Sequence, residues 1–175
     1  MIDQKIKSVI RDVPDFPKEG IIFKDITPIF QDAILVKEIV GGIVRQWEGF
    51  KVEAVAGVES RGFLLGPMIA KQLNVPFIPI RKKGKLPYAT IEESYDLEYG
   101  SATIEMHIDA ISKDQNVLIH DDLLATGGTA IATGRLIEKV GGKVAGFSFI
   151  INLSFLNGES FLKESKSEVK SLVNY

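Results

Sequence analysis

Apolar residues recur at helical spacing from the start of the chain: Ile2, Ile6, Val9, Ile10 and Val13, until Pro14 ends the pattern, which predicts a short amphipathic helix. A turn-rich stretch from Pro14 to Gly20 leads into residues 21–28, too interrupted by proline for a central strand. Leu35, Ile39, Val40, Ile43, Val44 and Trp47 predict a second helix, despite the weak propensity of Gly41 and Gly42.

From there the pattern changes to strand, loop, helix. Val52 to Val58 reads as an apolar strand, then comes a turn at residues 59–62, a helix to about Leu73, and a strand from Val75 to Ile80. The unit recurs: strand at residues 117–120, turn, helix to about Val140, stop at Gly141-Gly142, strand from Val144 to Ile151. Near-continuous apolar strands alternating with helices predict a mostly parallel sheet covered on both faces, an α/β fold. Between the two units, Arg81 to Gly100 reads as a long polar loop, and such loops tend to be lids or binding elements. Ala102 to Ile108 alternates like an exposed strand, residues 159–168 read as a charged, solvent-facing tail, and Ser171 to Tyr175 as a last strand.

Composition narrows the chemistry. At 175 residues and 19.3 kDa, with 45% hydrophobic and 25% charged positions, the chain has the material for one globular domain spanning 1–175. A net charge of −2 offers no broad basic surface for nucleic acid. The absence of cysteine excludes disulfides and thiolate chemistry, and two histidines, His107 and His120, are too few for a His-rich metal centre. Val144 to Gly158, the longest run without charge, contains Asn152 and two serines and is shorter than the roughly 20 apolar residues a membrane span needs. With no apolar signal at the N-terminus, a cytoplasmic protein is expected.

The chemistry concentrates in residues 117–129, Val-Leu-Ile-His-Asp-Asp-Leu-Leu-Ala-Thr-Gly-Gly-Thr. In an open α/β sheet, the ligand crevice lies at the carboxyl ends of the strands, where Asp121 and Asp122 are expected. Carboxylates there can accept from a sugar diol or hold magnesium through water. Ala125, Thr126, Gly127, Gly128 and Thr129 then offer close backbone N–H groups, hydroxyl donors and a helix N-terminus to a phosphate. A sugar-binding pair beside a phosphate cradle implies a ribose phosphate. Neither a Walker loop nor a G-x-G-x-x-G turn is present.

This thirteen-residue stretch closely resembles the signature of type I phosphoribosyltransferases for phosphoribosyl pyrophosphate (PRPP). Residues 15–28, 59–67, 81–87 and 94–100 are similar, in order, to motifs of the adenine-using branch of that family. The resemblance implies a type I phosphoribosyltransferase fold with an N-terminal hood (residues 1–30) and a flexible catalytic loop (81–100). It also implies transfer of ribose 5-phosphate from PRPP to adenine, giving AMP and pyrophosphate, with Mg2+ and a homodimer. Transfer to another purine, and PRPP binding as a signal without chemistry, stay open as alternatives.

Carried onto this chain, Asp121 and Asp122 meet the ribose hydroxyls and touch Mg2+ indirectly, through water. Residues 125–129 hold the 5-phosphate, while Glu59, Ser60, Arg61, Arg81 and Lys85 face pyrophosphate. Phe23 stacks on adenine, Ile22 and Lys24 offer backbone groups to its edge, and Leu124 closes its other side. Arg61 and Glu98 are the catalytic candidates, Arg61 for the leaving group's charge and Glu98 for the proton on N9, with Tyr99 beside Glu98 in the loop. Residue types alone would make Phe23 one of ten phenylalanines and Arg61 a surface ion-pair partner. His120 stands where the family carries an apolar residue and reads as a hydrogen-bonded structural histidine.

Overall fold

A computed structural model describes residues 1–96 and 100–175. The leading helix α1 (Ile2–Val9) ends sooner than the apolar spacing predicts, because Ile10 is extended with ψ 131° and starts a strand. That strand, β1 (Arg11–Pro14), pairs antiparallel with β2 (Ile22–Asp25), placing Val13 opposite Phe23 in a ribbon separate from the main sheet. A single turn of 3-10 helix, Thr27–Gln31, leads to α2 (Ala33–Gln46). Asp32 starts α2, its carboxylate accepting from the N–H groups of Ile34 (2.9 Å) and Leu35 (3.0 Å), two donors with no partner inside the helix.

Next come β3 (Ala54–Val58), α3 (Gly62–Leu73) and β4 (Phe77–Lys82). Then follow β5 (Thr90–Asp96), β6 (Ser101–His107), β7 (Asn116–Leu124), α4 (Gly128–Lys139), β8 (Lys143–Asn152), α5 (Gly158–Lys163) and β9 (Val169–Asn174). Among the described residues the main sheet has the order β5-β6-β4-β3-β7-β8-β9. The pairs from β4 through β9 are parallel, and β5 and β6 add an antiparallel edge.

Both faces are covered, as the apolar strands require. One face carries α1, α2 and α3 through Ile39, Ile43, Trp47, Leu65, Ile69 and Leu118; the other carries α4 and α5 through Ile119, Leu136, Ile137, Phe147 and Leu162.

The expected loop at 81–100 is in large part sheet: β5 pairs with β6 along its whole length, Thr90 opposite His107 to Asp96 opposite Ser101. Its polar sequence disguised it, because its carboxylates are neutralised by distant cations: Glu92 by Lys83, and Glu93 by Arg135 and Lys139. Nor is β6 an exposed strand, since Ile104, Glu105 and Met106 are buried. The expected charged tail contains α5, pinned by the fully buried Leu162.

Candidate active site

The two aspartates lie in the carboxyl half of β7, which runs on past them to Leu124, at the carboxyl side of the central parallel strands. Gly62 brings α3 against them. A Cβ on Gly62 would stand 2.8 Å from the His120 carbonyl oxygen and 3.1 Å from Asp121 Oδ1, so only glycine permits this approach. Arg61, just ahead of Gly62, is thereby set beside Asp122, with Nε 3.0 Å from Oδ2. That oxygen is buried without a well-aligned hydrogen bond, so the attraction to Arg61 is Coulombic and an acceptor site stays open. Asp121 Oδ1 accepts from the Asp122 N–H at 2.8 Å.

Burial pushes both carboxyl pKa values up. Asp121 goes well above the ordinary range because the Asp122 charge adds to the effect of burial, whereas Arg61 offsets part of the rise at Asp122. A site that resists holding two bare carboxylates is tuned to accept hydroxyl donors or positive charge. His120, next along the strand, is fully buried; neither ring nitrogen has a well-aligned partner, and the Ser148 backbone is the polar group that supports it. Burial lowers its pKa to about 4, against a small opposing pull from the Ser148 backbone, so the ring is neutral at pH 7.

Ala125 to Thr129 form the turn from β7 into α4. Gly127 is left-handed (φ 88°), and a Cβ on it would stand 3.2 Å from the Gly158 carbonyl oxygen, so α5 packs closely over the turn. The resulting pocket, about 90 Å³, is lined by Asp121, Leu123 and every residue from 124 to 130. The α4 N-terminus opens onto it, a favourable environment for an anion. Thr129 Oγ1 donates to Tyr95 Oη at 2.9 Å.

On the next strands, Arg81 Nε donates to Glu59 Oε2 at 3.0 Å and the Lys82 N–H to the same oxygen at 3.1 Å. Burial works to raise the Glu59 pKa, but these donors outweigh it and the carboxyl stays below its usual range. Arg81 also donates to the Lys85 carbonyl (3.0 Å), and buried Glu105 accepts from the N–H groups of Lys85 and Leu86, both at 2.8 Å. Arg81 is therefore a brace in this structure rather than a free cation, while the Lys82 and Lys85 side chains are exposed, as is Ser60, joined to Glu59 by a cis peptide. A cavity of about 210 Å³ has Glu59, Lys82, Tyr95, Asp121 and Thr129 in its wall.

The residues expected to meet the base lie on the β1–β2 ribbon. The Phe23 ring meets Phe16 edge-on at 5.2 Å, and the Arg61 guanidinium lies 5.0 Å from its centroid. Ile22 is 57% exposed, whereas the Lys24 amine is tied to Asp12 at 2.6 Å and lies over the Tyr175 ring. Leu124 is 1% exposed, packed in the core layer with Phe149 and Leu162, so its side chain does not present itself to the open face beside Phe23. Its neighbour Leu123 packs in the layer that holds Ile26. Glu98 and Tyr99 lie outside the described residues. The sequence assigned no role to Tyr95, although it lies in the 94–100 motif, and α5 was not expected.

An open α/β sheet with an aspartate pair and a phosphate turn at the carboxyl end of one strand defines the class. The chain belongs to the phosphoribosyltransferase family: the model of the phosphoribosyl transferase domain matches residues 24–173. Within it the chain groups with the adenine phosphoribosyltransferases. It is 53% identical over 175 residues to that enzyme from Cytophaga hutchinsonii, covering 100% of this chain and 97% of the relative. The crystal structure of adenine phosphoribosyltransferase from Thermoanaerobacter pseudethanolicus superposes with a TM-score of 0.95 at 43% identity, covering 100% of both chains. The Saccharomyces cerevisiae enzyme, solved with an imino-altritol bisphosphate and adenine, gives a TM-score of 0.90 at 38% identity, covering 98% of both.

Proposed function

We propose that this adenine phosphoribosyltransferase moves the 5-phosphoribosyl group of PRPP onto N9 of adenine, releasing pyrophosphate and giving AMP for purine salvage. The observation that carries the reading is the placement of Arg61, which joins Asp122 (3.0 Å) to the Phe23 ring (5.0 Å) and so ties the ribose side of the site to the base side.

The bond from C1′ to the diphosphate oxygen breaks, the bond from C1′ to N9 forms, and N9 gives up its proton. The Ala125–Thr129 turn holds the 5-phosphate on backbone N–H groups and threonine hydroxyls. Asp121 and the open Asp122 oxygen accept from the ribose hydroxyls, fixing the ring while positive charge develops on it. Lys82 and Lys85, with the Glu59–Ser60 turn, receive the departing diphosphate, and Arg81 holds that turn and the Lys85 backbone in register. Arg61 adds a permanent charge between the leaving group and the base. The base stacks on Phe23, its edge reading the backbone of Ile22 and Lys24. The proton on N9 falls to Glu98 by family resemblance.

Asp121 Oδ1 is engaged by backbone and Asp122 Oδ2 faces Arg61, and among the described residues no cluster of three acidic or histidine ligands exists. The donor set therefore fits Mg2+ held by the substrate's diphosphate and reached through water, where it supplies charge neutralisation to the leaving group. We extend the reading to a homodimer working in the cytoplasm; no helix among the described residues is long and apolar enough to cross a membrane.

The test is an assay of the purified chain with PRPP, Mg2+ and each of adenine, hypoxanthine, guanine and xanthine. Pyrophosphate release with adenine is expected. Release with hypoxanthine or guanine but not adenine would overturn the choice of base, and PRPP binding without turnover would mark a regulator.

A further inference from the structure

The β5 strand is fastened to both ends of α4, through Glu93 at its middle and Tyr95 near its carboxyl end. Away from the site, Glu93 pairs with Lys139 and with Arg135 at 3.4 Å. At the site, Tyr95 lies across the first turn of α4: a Cβ on Gly128 would stand 3.4 Å from its ring, and its hydroxyl meets Thr129 Oγ1 at 2.9 Å. Tyr95 also lines the cavity that holds Glu59, Lys82, Asp121 and Thr129. It is therefore a wall of the substrate space, although none of the roles derived above uses it.

The bond between Tyr95 and Thr129 joins two hydroxyls, and each can donate or accept. In this structure the Thr129 hydroxyl donates to Tyr95 Oη. A phosphate has acceptors in excess, so a phosphate in the turn claims the Thr129 hydrogen and leaves Thr129 Oγ1 to serve Tyr95 only as an acceptor.

We propose that Tyr95 is a positioning residue for the 5-phosphate: when the phosphate binds, the bond reverses, with Tyr95 donating to Thr129 Oγ1 and Thr129 donating to the phosphate oxygen. No proton changes owner: both hydroxyls rotate, and the Tyr95 hydroxyl adjusts enough to point its hydrogen at Thr129 Oγ1. The resulting chain of donors, tyrosine to threonine to anion, polarises in one direction, which strengthens each bond. It also fixes the Thr129 rotamer and links phosphate occupancy to the strand that walls the site. This rests on the reading of residues 125–129 as the 5-phosphate loop.

Tyr95→Phe keeps the ring against Gly128 and removes only the hydroxyl. The KM for PRPP should rise about three- to tenfold, the span of one hydrogen bond, with the KM for adenine unchanged. In a Thr129→Ala background the same substitution should add nothing to the KM for PRPP. Calorimetric titration should show Tyr95→Phe weakening AMP by a similar factor and leaving adenosine, which lacks the phosphate, untouched. An unchanged KM for PRPP in Tyr95→Phe, equal losses in both backgrounds, or equal weakening of AMP and adenosine would overturn the proposal. If Thr129→Ala alone leaves the KM for PRPP unchanged, the phosphate-loop reading falls first and takes this inference with it.

Discussion

The two halves of the proposed site are built from different material. The ribose-phosphate half is cut into the main sheet: Asp122 is 2% exposed, Gly62 wedges α3 against Asp121, and α5 closes over the phosphate turn. The base half rests on a two-stranded ribbon outside that sheet, with Ile22 57% exposed and Phe23 supported by Phe16 at its edge. A polyanion whose charge shifts during reaction is best served by donors fixed in advance in a region poor in water. A flat neutral base needs a stacking face and a few backbone groups, which a small ribbon supplies. Arg61 is in contact with both halves.

Removing that connection should give the largest effect. Arg61→Ala should lower kcat/KM by about a thousandfold, in the upper part of what loss of one transition-state charge contact costs. Steady-state kinetics with PRPP and adenine varied in turn should show both halves affected, because Asp122 loses its counter-charge and Phe23 its cation. If only the terms for pyrophosphate and PRPP suffer, the contact with Phe23 is incidental.

A smaller and one-sided loss is expected from Phe23→Ala. Base stacking on an aromatic is worth about 1–3 kcal/mol, so the KM for adenine should rise on the order of tenfold or more. The KM for PRPP should stay as it is, since no residue of the phosphate turn touches Phe23 by ring or charge contact among those described. A matching rise for PRPP would mean that the halves are not separable.

The same division governs what could be read from the amino-acid sequence. The β3–α3 and β7–α4–β8 units were legible because buried parallel strands are apolar throughout, and the phosphate signature is contiguous, so local pattern and chemistry coincide. Thr90 to Asp96 was not legible as a strand: Thr-Ile-Glu-Glu-Ser-Tyr-Asp is polar, and what neutralises it arrives from α4, some forty residues later. The six-residue α5 depends on one buried leucine and on close packing against the Ala125 carbonyl, which no periodicity records. Leu124 went astray for a related reason. The paired leucines after the aspartates are equivalent in sequence, and the packing of α5 sends Leu124 into the core.

The smallest effect on activity should come from the residue nearest the aspartates that was expected to be hydrogen-bonded. His120 is neutral at pH 7 and fully buried, with Ser148 opposite it in the register. A neutral ring cannot supply charge to Asp121, so His120→Val should leave turnover at pH 7.5 within about twofold. Stability in acid should change instead. Below pH 6.5 the unfolded chain takes up a proton on this histidine, while the folded chain refuses it until pH falls to about 4, so acid favours unfolding across that window. Above pH 6.5 both states are neutral and the penalty vanishes. At pH 4.5 the penalty comes to about 2.5 kcal/mol, and His120→Val should remove it. Urea unfolding of both proteins at pH 7.5 and pH 4.5 measures the difference directly. The raised carboxyl pKa values of Asp121 and Asp122 act on both proteins alike and cancel in the comparison. If the parent and the variant lose equal stability between the two pH values, the ring already carries its proton in the fold. The ribose-phosphate half would then be wetter than its burial indicates, and closer in character to the exposed ribbon that holds the base.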